Sequence, residues 1–183
     1  MVRITGGTWR GRRLDVPDGI RPTTELVRKA AFDILGDAIR GARVLDACSG
    51  SGAYGLEALS RGAAHATFVE ADRKVVEVLR GNVERLGASP VSSIEATTVV
   101  RFSSKGEFRR GPGAADAAFD VVFHDPPFKE ISSESDLRLL VALVRAGGWL
   151  FHERGDDRWL TPGGVAPADR RRYGHARFLI YRP

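Results

Sequence analysis

An acid, two prolines and an aromatic ring close the stretch FDVVFHDPPF at residues 119–128. Its first part reads as a buried strand. Consecutive prolines fix φ, remove two N–H donors and cannot continue a sheet. Asp125, Pro126 and Phe128 therefore form a stiff corner that presents a carboxylate, a carbonyl and a ring together. Methylation of an exocyclic amine calls for such a group. The amine's lone pair is delocalised into its base, so two acceptors on the N–H protons must hold it and aim the lone pair. An aromatic face can stack on the base once it is swung out of its neighbours. Alignment then supplies most of the rate, with the proton passing later to solvent or to Asp125. His124 reads as a hydrogen-bonded residue at the strand end.

A second constellation stands upstream, in VLDACSGSGAYGLEALSRG. Gly50, Gly52 and Gly55 fit G-x-G-x-x-G, a pattern that lets the backbone turn sharply and a ligand approach without a Cβ in the way. Glu70 ends the next strand, where a carboxylate can accept both hydroxyls of a ribose. A dinucleotide and S-adenosylmethionine compete for such a loop. A pyrophosphate favours bare amides at a helix N-terminus, whereas S-adenosylmethionine brings a sulfonium and an ammonium. Asp46, directly before the loop, would repel the first and attract the second, so V-L-D-x-x-x-G-S-G favours S-adenosylmethionine. As a structural alternative, Asp46 caps the following turn. Cys48 reads as a small packing residue beside the cofactor.

These residues need a scaffold that brings them to one edge. ARVLDA (42–47), ATFVEA (66–71), a weak segment at 92–95 and FDVVFHD read as strands, with GGWLFHER (147–154) a fifth. Helical segments at 52–62, 71–87, near 97 and at 134–146 separate them, and 105–116 reads as a loop. Strands alternating with helices over short connections predict a mostly parallel sheet covered on both faces. Ligands of such sheets bind beyond the carboxyl ends of the strands, where Asp46, Glu70 and Asp125 all fall. Two weaker strands, near 165–173 and 176–181, bring the sheet to seven. Ahead of the core, Val2–Thr5 and Trp9–Val16 read as a hairpin about Gly6-Gly7, with Trp9 tucked beneath it. Thr23 or Thr24 then caps a helix through 34. The expected organisation is one Rossmann-like α/β domain over 1–183, with a basic N-terminal extension (1–22) on a catalytic core (23–183).

Composition narrows the partners. Of 183 residues 43% are hydrophobic and 28% charged, values of a soluble globular protein. No apolar run approaches a membrane span, and the start, MVRITGGTWRGRR, lacks the apolar middle of a signal peptide, so a cytoplasmic protein is expected. The single cysteine excludes an internal disulfide, and the four histidines show no metal-ligand spacing, so no metal is expected. Seven arginines and lysines stand against three acids in residues 1–29 and again in 154–183, so each end carries +4 and the stretch between them −3. Basic flanks on a mildly acidic body suggest a polyanion partner.

Taken together, RITGGTWRGRRLDVPDGIRPTTELVRKAAFDIL, VLDACSGSGAYGLEALSRGA, FVEADR and HDPPF resemble the RsmD-like family of small bacterial 16S rRNA guanine-N2 methyltransferases, almost end to end. The R-G-R-x-L…P…R-P-T-T run is the most specific part, since general methyltransferases share the glycine loop and the D-P-P-F corner but not this prefix. The resemblance implies a class I S-adenosylmethionine-dependent methyltransferase fold. It also implies methyl transfer to N2 of one guanine in 16S rRNA, within the 30S subunit or its assembly intermediate, by a monomer. Asp46, Cys48, Gly50, Ser51, Gly52, Glu70, Ala71, Thr97 and Asp125 would hold the cofactor, and Asp125, Pro126 and Phe128 the guanine. Arg10, Arg12, Arg13, Arg21 and Thr23 would face RNA or frame the mouth of the site. The chain departs from the family in Cys48-Ser49, in Thr97 where an acid or amide is usual, and in His124. DNA adenine-N6 and protein glutamine-N5 methyltransferases share the D/N-P-P-aromatic corner and stand as alternatives, as does a silent RNA-binding assembly factor. Against the DNA target, no stretch is long enough for a separate recognition domain.

Overall fold

Apolar alternation and helix caps lay out the elements of the chain, whose structure is a computed structural model describing residues 2–19, 24–104, 119–127, 134–156, 158–174 and 176–183. Strands β1 (Val2–Arg3) and β2 (Arg13–Leu14) pair antiparallel as a separate ribbon. Helix α1 (Glu25–Leu35) starts where Thr24 Oγ1 accepts the Val27 amide at 3.3 Å. Then follow β3 (Arg43–Ala47), α2 (Ala53–Ser60), β4 (His65–Glu70) and α3 (Arg73–Arg85). Asp72 caps α3 by accepting the Lys74 amide at 2.8 Å, so the strand before it stops at Glu70. The chain continues through β5 (Ser92–Ala96), α4 (Val99–Ser103), β6 (Phe119–His124), α5 (Glu134–Val141), β7 (Val144–Arg154), β8 (Asp169–Tyr173) and β9 (Ala176–Tyr181).

The sheet order is β5-β4-β3-β6-β7-β9-β8, parallel from β5 to β7, with β9 and β8 antiparallel at the far edge. This is the mostly parallel seven-stranded sheet expected. The order reverses between β4-β3 and β6-β7, and the cofactor loop and the D-P-P corner meet at that switch point. Alternate residues feed two cores. Val44, Val121, Phe123 and Phe151 meet α1 and α2, while Leu45, Val122 and Leu150 meet α4 and α5. Each fully buried phenylalanine here contributes about 2 kcal/mol.

One element differs from expectation. The expected helix 134–146 ends at Val141, because Val144 already pairs with Phe119. The register then slips so that Trp149 meets Val121, and Gly147 takes φ +70° within the irregular stretch. The expected hairpin forms, its pairing continued past Arg3 where the Ile4 amide donates to the Arg12 carbonyl at 3.0 Å. Its arc packs on α2, where the Thr8 amide donates to the Ser60 carbonyl at 2.8 Å and a Cβ on Gly7 would lie 1.8 Å from that oxygen. Trp9 is partly buried beneath it, as expected.

Candidate active site

The loop after β3 holds its shape through backbone torsions that few residues adopt. Cys48, Gly50 and Gly52 have φ of +63°, +53° and +80°. Cys48 is thus more than packing: it takes a left-handed turn that glycine would ordinarily occupy. Ser49 ties the loop to both strands, its hydroxyl donating to the Asp46 carbonyl at 2.6 Å and its amide to the Val69 carbonyl at 3.0 Å. Asn82 of α3 donates to the Ser51 carbonyl at 2.9 Å. A Cβ on Gly52 would meet Leu79 at 2.5 Å, and one on Gly55 would meet the Phe68 ring at 2.3 Å. The second and third glycines therefore set how closely α2 packs on β4 and α3.

Asp46 takes the capping role considered for it. Gly52 has no side chain to cap α2, and Asp46 Oδ2 accepts the Gly55 amide at 2.8 Å in its place. Its other oxygen, Oδ1, accepts no hydrogen bond among the described residues. Burial pushes the carboxyl up to about 8; the Gly55 bond opposes this, Asp125 and Glu70 add to it, and Arg28 opposes it. A buried, reluctant carboxylate gains most from a cation and repels a phosphate. The donor set therefore fits the sulfonium and ammonium of S-adenosylmethionine better than a pyrophosphate.

Glu70 is a staple between two turns. Oε2 accepts the Gly50 amide at 3.0 Å, and Oε1 accepts the amides of Ala71 and Asp72 at 2.8 and 3.0 Å. A carboxylate has about four acceptor positions, so ribose hydroxyls would share oxygens already oriented by three amides. Thr97 stands one residue past Ala96, the register partner of Glu70. Its amide donates to the Glu95 carbonyl at 2.9 Å.

Asp125 lies one step beyond the Ala47–His124 pair of β3 and β6, half-buried beside the loop, and Pro126 is buried. Its charge acts on both Asp46 and Tyr54. Tyr54 stacks on Phe123 at 4.5 Å, and its hydroxyl donates to Glu153 at 3.4 Å. Burial and the neighbouring acids raise the phenol well above its ordinary range. Phe128, Arg21 and Thr23 lie outside the described residues.

The hairpin arginines sit on a segment that packs on α2 and α3. Thr8 and Trp9 bind Ser60 at the C-terminal end of α2, about 12 Å along the helix from the glycine loop. Arg12 reaches the Arg85 carbonyl at the C-terminal end of α3, at 3.5 Å. Arg10, Arg12 and Arg13 are exposed, and just past them the Asp15 amide donates to Asn82 Oδ1 at 2.9 Å, the same side chain that holds the Ser51 carbonyl of the loop.

Sequence reasoning passed over Arg28, Glu57 and Glu153. Arg28 and Glu57 are fully buried and paired at 3.4 Å, and Glu57 also binds Arg61 at 2.8 Å and the Thr5 amide and hydroxyl at 2.7 Å each. Arg28 also donates to the Arg3 carbonyl. An arginine between Val27 and Ala31 on the apolar stripe of α1 was the available signal. His124 differs from expectation: Nδ1 has no partner among the described residues, and the ring stacks on His152 at 4.9 Å. Burial pushes His124 down to about 4, so the pair is neutral at pH 7.

Comparison with known proteins places this arrangement. The family model described as conserved hypothetical protein 95 matches residues 2–182. The chain belongs to that family. The ribosomal RNA small subunit methyltransferase D of Escherichia coli K12 is 41% identical over 154 residues, spanning 83% of this chain and 71% of that protein. The Haemophilus influenzae protein of the same name is 40% identical over 166 residues, 90% and 76% of the two chains. Among solved structures, a hypothetical protein of Thermus thermophilus superposes with TM-score 0.83 and 34% identity over the whole of both chains. An RNA methyltransferase of Salinibacter ruber, solved with S-adenosyl-L-homocysteine, shares the fold at TM-score 0.63 and 16% identity over 89% of this chain and 94% of that one. The domain has the class I methyltransferase fold. Among the described residues, no helix is long and apolar enough to cross a membrane.

Proposed function

We propose that this family member transfers a methyl group from S-adenosylmethionine to the exocyclic N2 amine of a guanine in 16S rRNA. The reading is carried by one observation: the Asp125-Pro126 corner stands directly beside a loop whose buried acid, Asp46, suits a cation. S-adenosylmethionine, when bound, supplies a methyl on a positively charged sulfur. Asp46 Oδ1 and the Gly50–Gly52 turn would hold its amino-acid end, Glu70 the ribose, and Thr97 the side nearest the base. Asp125 and the Pro126 carbonyl accept the two N–H protons of the guanine amine and turn its lone pair toward the methyl, and Phe128 stacks on the guanine. Proline rigidity keeps both acceptors in place before the substrate arrives, so little ordering remains at the moment of reaction. The amine gains a methyl and gives one proton to Asp125 or solvent.

The small-subunit methyltransferases among the relatives support rRNA as the target. In this reading the enzyme works as a cytoplasmic monomer on the 30S subunit or its assembly intermediate. The exposed arginines of both ends, with Arg21 and Thr23, contact RNA, supplying affinity rather than sequence choice. Tritiated S-adenosylmethionine offered with 30S particles, naked 16S rRNA and duplex DNA tests this. Label is expected in N2-methylguanosine. N6-methyladenosine, or no label on any substrate, would refute it. Asp125→Ala should abolish transfer; retained activity would make the corner structural.

A further inference from the structure

Glu153 has no part in the chemistry described so far, yet it sits beside the reacting corner. Strands β6 and β7 run parallel with His124 opposite His152, so the next pair outward is Asp125 and Glu153. Alternation turns both toward the face that carries Tyr54. Two residues earlier on each strand, Phe123 and Phe151 stack at 5.5 Å on that same face. Glu153 is 4% exposed, whereas Asp125 is only half-buried. The corner therefore opens at Asp125 and closes at Glu153.

We infer that Glu153 is the residue that selects guanine, its carboxylate accepting the N1–H of the base whose N2 amine Asp125 holds. The inference rests on the guanine-N2 reading. Guanine presents N1–H and N2–H side by side as donors, and two carboxylates on adjacent strands meet that pair with acceptors only. Adenine offers a lone pair at N1 and no amine at C2, so the same wall repels it. Tyr54 Oη, 3.4 Å from Oε2, holds one oxygen of Glu153 and fixes its orientation from within the core. Its low exposure means that bulk water competes little for the contact, which makes the wrong partner expensive.

The test needs a base with a 2-amino group and no N1–H, and 2,6-diaminopurine is that base. Position of the modified guanosine is first mapped with the wild-type enzyme. Full-length 16S rRNA is then ligated to carry guanosine or 2,6-diaminopurine there and assembled into 30S particles. Wild type should prefer guanosine by at least about 100-fold in kcat/KM. Glu153→Gln, whose amide can donate to N1 of diaminopurine, should lose about 100-fold on guanosine and bring the two substrates within about tenfold. Its affinity for S-adenosylmethionine should stay within about threefold, since no cofactor contact changes. A wild-type enzyme that methylates both bases equally overturns the inference even if the variant does not fold. So does a variant that loses both substrates by the same factor, which would make Glu153 a packing residue. Label in any nucleoside other than N2-methylguanosine overturns the guanine reading and this inference with it, and is recognised at the mapping step, before any variant is made.

Discussion

Lowering the pH from 9 to 6 should weaken S-adenosylmethionine binding through a single group, Asp46. In the free protein burial holds this carboxyl at about 8, so most of it is protonated at neutral pH. Only the ionised form attracts the ligand's cationic end, and the complex should keep it ionised. About one molecule in ten is in that form at pH 7 and one in a hundred at pH 6. The expected loss between pH 9 and 6 is therefore about 100-fold, or about 2.7 kcal/mol. Calorimetric titration in two buffers of different ionisation enthalpy reads both the affinity and the protons released, about 0.9 per ligand at pH 7. The ligand's own ammonium also titrates near pH 8, but it does so equally with Asp46→Asn, so the difference between the two proteins isolates Asp46. Stability provides a second reading with a defined sign. A carboxyl raised from 3.8 to about 8 contributes stability that is fully present below pH 4 and lost progressively as pH rises from there through 8. The ligand-free wild type should therefore lose Tm between pH 7 and 9 relative to Asp46→Asn. Parallel binding curves for the two proteins would refute the assignment of the cation to this carboxylate.

Three further outcomes follow from particular contacts. Gly55→Ala places a methyl 2.3 Å from the Phe68 ring, and should cost about 2 kcal/mol in urea unfolding as α2 is pushed from β4. Glu57→Ala removes the carboxylate shared by Arg28, Arg61 and Thr5. With Arg28 left buried and unpaired, the expected loss is about 3–5 kcal/mol in the same assay, far beyond an ordinary surface substitution. Reversing the charge of Arg12 and Arg13 should weaken binding to 30S particles and flatten its salt dependence. An unchanged salt slope would remove these arginines from the RNA contact.

Much of this protein is legible along the chain, because it depends on neighbours in sequence. Strand alternation, the glycine torsions, the Asp72 and Thr24 caps and the stop imposed by two prolines are local effects. They suffice to put Asp46, Glu70 and Asp125 at strand ends. The local pattern also carried the family prefix RPTT, although it could not say where that prefix would lie. Tertiary structure decided the rest, because the deciding contacts join residues far apart in sequence. Asp46 caps α2 because β3 aims it under the Gly55 amide. The hairpin settles at the end of α2 away from the loop because Gly7 and Ser60 fit backbone to backbone. His124 became a stacked, neutral ring only when β7 brought His152 beside it. Glu153 reads in sequence as an ordinary polar end to a strand. The register of β6 and β7, set by two cores packing on opposite faces of one sheet, makes it the neighbour of Asp125.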